Sequence, residues 1–65
     1  MKPECKLIGE NGNVFNLIAI VRATLKEKDL YNELQQFDTD LKELQEKGGR
    51  YEDVLVLFMK YVEVV

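Results

Sequence analysis

Gly9-Glu10-Asn11-Gly12-Asn13-Val14-Phe15-Asn16 (GENGNVFN) is the stretch on which the fold turns. Asn11-Gly12 is a strong turn dipeptide, because both residues tolerate positive φ. Asn13 then precedes the apolar pairs Val14-Phe15, Leu17-Ile18 and Ile20-Val21. That is the position of an N-cap, whose side-chain oxygen accepts an otherwise orphaned helix N–H. The pattern predicts a first helix from Val14 to about Lys26. It is apolar nearly all round, with Arg22 as its internal charge, and so central to the fold. The rival reading is a hairpin about Asn11-Gly12, with Val14 to Ile18 as its second strand.

Upstream, Cys5 and Leu7 alternate with Glu4 and Lys6. A period of two is what a half-buried strand requires, and Pro3 suits the first position of an edge strand. Downstream, Lys26-Glu27-Lys28-Asp29 breaks the helix, and a second runs from Leu30 to Lys47. Its Leu30, Leu34, Phe37, Leu41 and Leu44 form an a/d seam over two heptads, which packs on the first helix. Asp38 with Lys42 and Glu43 with Lys47 are acid-before-base pairs at i,i+4. Gly48-Gly49 ends this helix, one glycine taking the left-handed C-terminal position. Glu52 and Asp53 open a third helix where acids favour the macrodipole, and Val54, Leu55, Leu57, Phe58 and Tyr61 give its buried face. The end, Tyr61-Val62-Glu63-Val64-Val65, returns to alternation and strand formers.

The expected architecture is a single α+β domain over residues 1–65, β-α-α-α-β, with a two-stranded ribbon of the N- and C-terminal strands packed on helices. Gly9, Asn11, Gly12, Asn13, Gly48 and Gly49 are assigned structural turn and cap roles.

Sixty-five residues with 46% apolar content make a small folded domain of marginal stability. With Cys5 as its one cysteine, the chain has no disulfide to help, leaving well-packed helices or a second copy of itself. Net charge is −3, which argues against nucleic acid. The charge is uneven: residues 1–28 are net +2 and residues 29–47 net −4. Lys2 is followed by Pro3-Glu4 rather than an apolar run, so no signal peptide is expected. Leu17 to Val21 is far too short a run to span a bilayer. The single cysteine points to a reducing, cytoplasmic setting.

The chain contains no histidine, serine or tryptophan. Ser-His-Asp and Cys-His constellations are therefore impossible, and no histidine can activate Cys5, Thr24 or Thr39. Gly9-x-x-Gly12 lacks the spacing and the Lys-Ser or Lys-Thr of a phosphate-binding loop. Its strand–turn–helix context would still suit an anion, which Glu10 would repel. Glu10, Asn11 and Asn13 supply too few oxygens for calcium. No catalytic residue, cofactor or metal is expected.

Lys6-Leu7-Ile8-Gly9-Glu10-Asn11-Gly12-Asn13-Val14-Phe15-Asn16-Leu17, Tyr51-Glu52-Asp53-Val54-Leu55 and Tyr61-Val62-Glu63-Val64 resemble a group of small uncharacterised bacterial and phage or mobile-element proteins. The shared features are a strand, an acidic or amide residue before Gly-Asn, an apolar helix, and a tyrosine opening the last helix before an aromatic-Val-x-Val end. Asn11 stands where an aspartate is expected, and Arg50 where an acid is usual. The resemblance implies an architecture and a setting rather than an activity.

The functional expectation is a non-catalytic protein-interaction or accessory module, self-associating or bound to another protein, with no membrane partner. Tyr31, Phe37, Leu41, Val62 and Val64 are the candidate partner contacts, on the second helix and the ribbon edge. The alternative is a small nucleic-acid-associated regulator using Lys2, Lys6, Arg22, Lys26 and Lys28.

Overall fold

The computed structural model describes residues 2–65. It is built as β1 (Glu4–Cys5), α1 (Val14–Glu27), α2 (Tyr31–Glu46), α3 (Tyr51–Tyr61) and β2 (Glu63–Val64). The two strands pair in parallel, Glu4 opposite Glu63 and Cys5 opposite Val64. Bonds beyond the strands extend the ribbon, from Glu63 N to Pro3 O (2.8 Å), Val65 N to Cys5 O (3.0 Å) and Leu7 N to Val65 O (3.0 Å). Cys5 and Leu7 point into the core while Glu4 and Lys6 face solvent, the alternation the sequence carries.

Residues 14–18 are helical, which removes the hairpin reading. Asn13 caps α1 in extended conformation, its side chain accepting from Phe15 N at 2.9 Å. The turn before it differs from expectation. Neither Asn11 nor Gly12 has positive φ; the left-handed residue is Gly9, at φ +88°. Gly9 sits third in a turn closed by Glu10 N to Leu7 O at 3.1 Å. Asn11 works through its side chain instead, whose oxygen accepts from Asn13 N at 2.9 Å, a local turn that asparagine supports. Its carbonyl accepts from the Asn16 side chain at 3.0 Å.

The break between α1 and α2 is shorter than Lys26-Glu27-Lys28-Asp29, because α1 keeps Lys26 and Glu27. It is a Schellman closure: Leu30 N donates to Leu25 O (2.9 Å) and Asp29 N to Lys26 O (3.1 Å). Its left-handed position is held by Asp29, at φ +58°, rather than a glycine. The same closure ends α2, with Gly48 at φ +75° and Gly49 N bonded to Leu44 O at 2.8 Å. Gly49 is needed for space, since a Cβ there would lie 2.9 Å from the Leu44 carbonyl oxygen and 2.4 Å from its Cγ.

The core draws on every element: Cys5 and Leu7; Leu17, Val21 and Leu25; Phe37 and Leu41; Val54, Leu57 and Phe58; and Val62. Among the described residues no polar one is buried with them. The α2 seam faces inward as expected, and packs on both α1 and α3. Phe37 meets Phe58 at 6.0 Å between ring centroids and Tyr61 edge-on at 5.5 Å. Such pairs add about 0.5–1.5 kcal/mol beyond area burial. Thr24 Oγ1 lies 3.0 Å from the Ile20 carbonyl and 3.3 Å from Cys5 Sγ. The hydroxyl has one proton and two lone pairs, so it donates to the carbonyl and can accept from the thiol.

The anticipated i,i+4 pairs on α2 do not form. The Asp38 carboxylate is taken by Arg22 of α1, with Nε to Oδ1 at 3.0 Å and Nη2 to Oδ2 at 3.2 Å. This is the only ion pair among the described residues. Both side chains are about half exposed, so it contributes at most about 1 kcal/mol.

Asp29→Gly removes a Cβ from a left-handed position, and is expected to raise the unfolding free energy by about 0.5–1 kcal/mol. Gly49→Ala is expected to lower it by about 1–3 kcal/mol through overpacking on Leu44. Urea unfolding of the two variants beside the parent chain checks both signs.

Candidate functional site: the outer face of helix three

Among α3's eleven residues, eight are apolar or aromatic. One helical stripe suffices for a core contact, and that stripe is Val54, Leu57, Phe58 and Tyr61. The remainder turn outward. Val56 is 54% exposed, Met59 50% and Tyr51 44%, with Leu55 half-buried between them. Tyr51, Leu55 and Met59 follow each other at i,i+4 spacing and so share a side of the helix.

That side forms one wall of a groove of about 380 Å³. Ile8 and Val64 of the ribbon form the opposite wall, and Glu10 of the loop is the one charged group in the lining. Ile8, 68% exposed, contributes because it keeps the outward phase of Glu4 and Lys6, one residue beyond inward-facing Leu7. The upper end of the groove is fixed by the Tyr51 hydroxyl, which donates to Gly12 O at 2.9 Å. This ties α3 to the loop before α1. The lower end is fixed by Lys2 Nζ, which donates to Met59 O at 2.7 Å. Arg50 N donates to the Asp53 carboxylate at 2.9 Å, holding the first turn of α3.

The candidate contacts from the sequence fare unevenly. Phe37, Leu41 and Val62 are buried in the core, so they are not available to a partner. Their apolar character serves internal packing: the seam that was expected to pack on α1 is the one α2 presents to both α1 and α3. Tyr31 is exposed at the start of α2 but lines none of the groove. Val64 does line it. Val56 and Met59 were not singled out from the sequence, and Tyr51 was read only as the opening of the last helix. The signal was the run Val54-Leu55-Val56-Leu57-Phe58-Met59, six apolar residues and one longer than Leu17 to Val21. A one-sided helix does not need such a run.

The basic residues do not form an unopposed set. Arg22 is engaged by Asp38, and Lys2 by the Met59 carbonyl. Lys26 and Lys28 alternate with Glu27 and Asp29. Among the described residues no cluster of three or more cysteine, aspartate or glutamate side chains is placed to hold a metal. No helix among them is long and apolar enough to cross a membrane. No protein-family model matches the chain, and neither does any curated protein or solved structure compared with it.

The pair with a perturbed protonation equilibrium lies between α2 and α3. The Tyr61 hydroxyl donates to the Asp40 carboxylate, which also accepts from Gln36 Nε2 at 3.0 Å. Burial, then the hydrogen bond to Asp40, pushes the Tyr61 phenol up to about 12. The Tyr61 and Gln36 bonds hold Asp40 below its ordinary value. The bond between Tyr61 and Asp40 ties α2 to α3.

The fold favours the neutral phenol of Tyr61, so this contribution is complete below pH 10 and is lost as pH rises towards about 12. Denaturant unfolding between pH 9 and pH 12 is expected to show a steeper decline for the parent chain than for Tyr61→Phe. Parallel curves would show that the hydrogen bond to Asp40 does not report on folding.

Proposed function

We propose that this chain is a non-catalytic protein-interaction module that docks through the outer face of α3 and the groove beside it. The observation that carries the reading is the double-sided apolar character of α3. Tyr51 and Met59 remain exposed beside Ile8 after the core is complete, and Val56 is exposed on the flank of α3 that faces α2. Contiguous exposed apolar surface on a small soluble domain marks an interaction site more often than a chance of composition. The groove's shape also fits: an extended apolar channel between a helix and a ribbon accepts a ridge of side chains from a partner.

Catalysis gains no support from the same surface. The groove holds one carboxylate, its one other titratable side chain, Tyr51, is bonded to the Gly12 carbonyl, and Cys5 is buried and does not line it. Its walls are suited to excluding water from a partner's side chains.

Tagged parent chain and Met59→Glu, expressed in the native host, test the reading, with circular dichroism confirming that helix content is kept. Partners, the untagged chain included, are expected to co-purify with the parent and to fall by tenfold or more with Met59→Glu. Equal recovery with both would show that this face is not the docking surface.

A further inference from the structure

Gly12 is the glycine that the fold does not require. Its φ is not positive, and a Cβ there would meet only the Tyr51 hydroxyl, at an ordinary 3.7 Å. It follows Asn11, and both residues are exposed. The Gly12 N–H donates to no group among the described residues. Asn11, by contrast, is engaged at both of its oxygens. Its side-chain Oδ1 accepts from Asn13 N at 2.9 Å, and its main-chain carbonyl accepts from Asn16 Nδ2 at 3.0 Å. An uncrowded and unbonded backbone nitrogen thus follows a side-chain amide whose oxygen is already polarised by a donor. The other asparagines lack this setting: Asn13, Asn16 and Asn32 precede Val14, Leu17 and Glu33, whose side chains crowd the nitrogen.

We propose that Asn11-Gly12 is a self-modification site, at which the fold assists conversion of Asn11 to aspartate through a cyclic imide. Solvent base removes the Gly12 amide proton, and the negative charge spreads onto the Asn11 main-chain carbonyl, where Asn16 Nδ2 donates. The nitrogen attacks Asn11 Cγ and closes the ring. Charge then moves to Oδ1, where the Asn13 N–H donates. Donors already aimed at the oxygens that gain charge lower the barrier, as in an oxyanion hole. The Cγ–Nδ2 bond breaks, and the amide nitrogen leaves as ammonia with a proton from water. Water then opens the imide at either carbonyl, so the net change consumes water, releases ammonia and alters no oxidation state. Opening at Cγ gives normal aspartate. That product keeps the acceptor for Asn13 N and adds a negative charge ahead of α1, whose first turn has no acid. Opening at the main-chain carbonyl gives β-linked aspartate, with an extra carbon in the main chain just before Gly12, whose own carbonyl Tyr51 holds. Either product alters the loop end of the groove, which Glu10 and Gly12 line.

Peptide mass spectrometry of the full chain, incubated at neutral pH and physiological temperature, tests the proposal. Asn11 is expected to convert several-fold faster in the folded chain than in the same chain unfolded in guanidinium chloride, and to yield both normal and β-linked aspartate. Asn13, Asn16 and Asn32 are internal references, expected to stay largely intact. Asn16→Ala puts a good helix former at a helical position, removes the donor to the Asn11 carbonyl, and is expected to slow conversion about fivefold, the effect of one hydrogen bond. Gly12→Ala adds a Cβ for which there is room, and is expected to slow it by a larger factor by crowding the nucleophile. Conversion no faster in the folded chain than in the unfolded one would overturn the proposal. So would an Asn16→Ala chain that keeps its helix content and converts at the parent rate or faster. Normal aspartate alone, or an undiminished rate in Gly12→Ala, would mark direct hydrolysis of the side chain and overturn it too. The comparison of folded with unfolded parent chain involves no substitution, so it decides even where a variant fails to fold.

Discussion

The seating of Phe37 governs the arrangement of everything else. α2 is the most polar of the three helices, and Phe37 and Leu41 are the two side chains it buries. With no exposed surface left, the Phe37 ring contacts Phe58 and Tyr61, both on α3. Those contacts fix α3 in rotation, because only one turn of the helix puts Phe58 and Tyr61 inward together. Once they point in, Val56 and Met59 must point out. The exposed apolar face is thus a geometric result of an internal aromatic contact, and its composition is the part the core does not demand.

The same contact positions Tyr61 to reach Asp40, which closes the α2–α3 joint with a hydrogen bond as well as with packing. A second bond from α3, Tyr51 to Gly12, holds the loop that carries the α1 cap. α3 is therefore tied at its two ends to different parts of the chain by its two tyrosines. Its apolar residues between them are free to divide between the core and the surface.

Much of the fold was legible in the sequence because local signals agreed with tertiary ones. Asn13 before an apolar run read as a cap, and it caps. Cys5 and Leu7 alternated with charged neighbours, and they are buried. The a/d seam of α2 packs inward. The misreadings come from places where local chemistry is ambiguous. Asn11-Gly12 satisfies the composition of a left-handed turn, yet Gly9 takes that conformation and Asn11 contributes a side-chain oxygen. Asp29 in a left-handed position is tolerated rather than signalled. Arg22 prefers a bidentate carboxylate on a neighbouring helix to solvent, which no i,i+4 rule anticipates. The site was the least legible part. Phe37 and Leu41 belong to the seam that was expected to pack on α1 and yet are also among the candidate partner contacts; periodicity alone cannot say how much of a seam internal packing leaves free. The α3 face emerges only after the core has been filled and the surplus counted.

The ribbon has a further consequence for the way the molecule assembles. Its bonds, such as Glu63 N to Pro3 O, join residues separated by nearly the whole chain. Closing so long a loop is entropically unfavourable until the intervening helices have shortened it. The strands are thus expected to zip late, after the three helices have found one another. Conversely, with only two residues assigned to each strand, the ribbon has little cohesion of its own. It persists because the helical layer beneath keeps its two halves within reach, so its integrity is a readout of the whole domain.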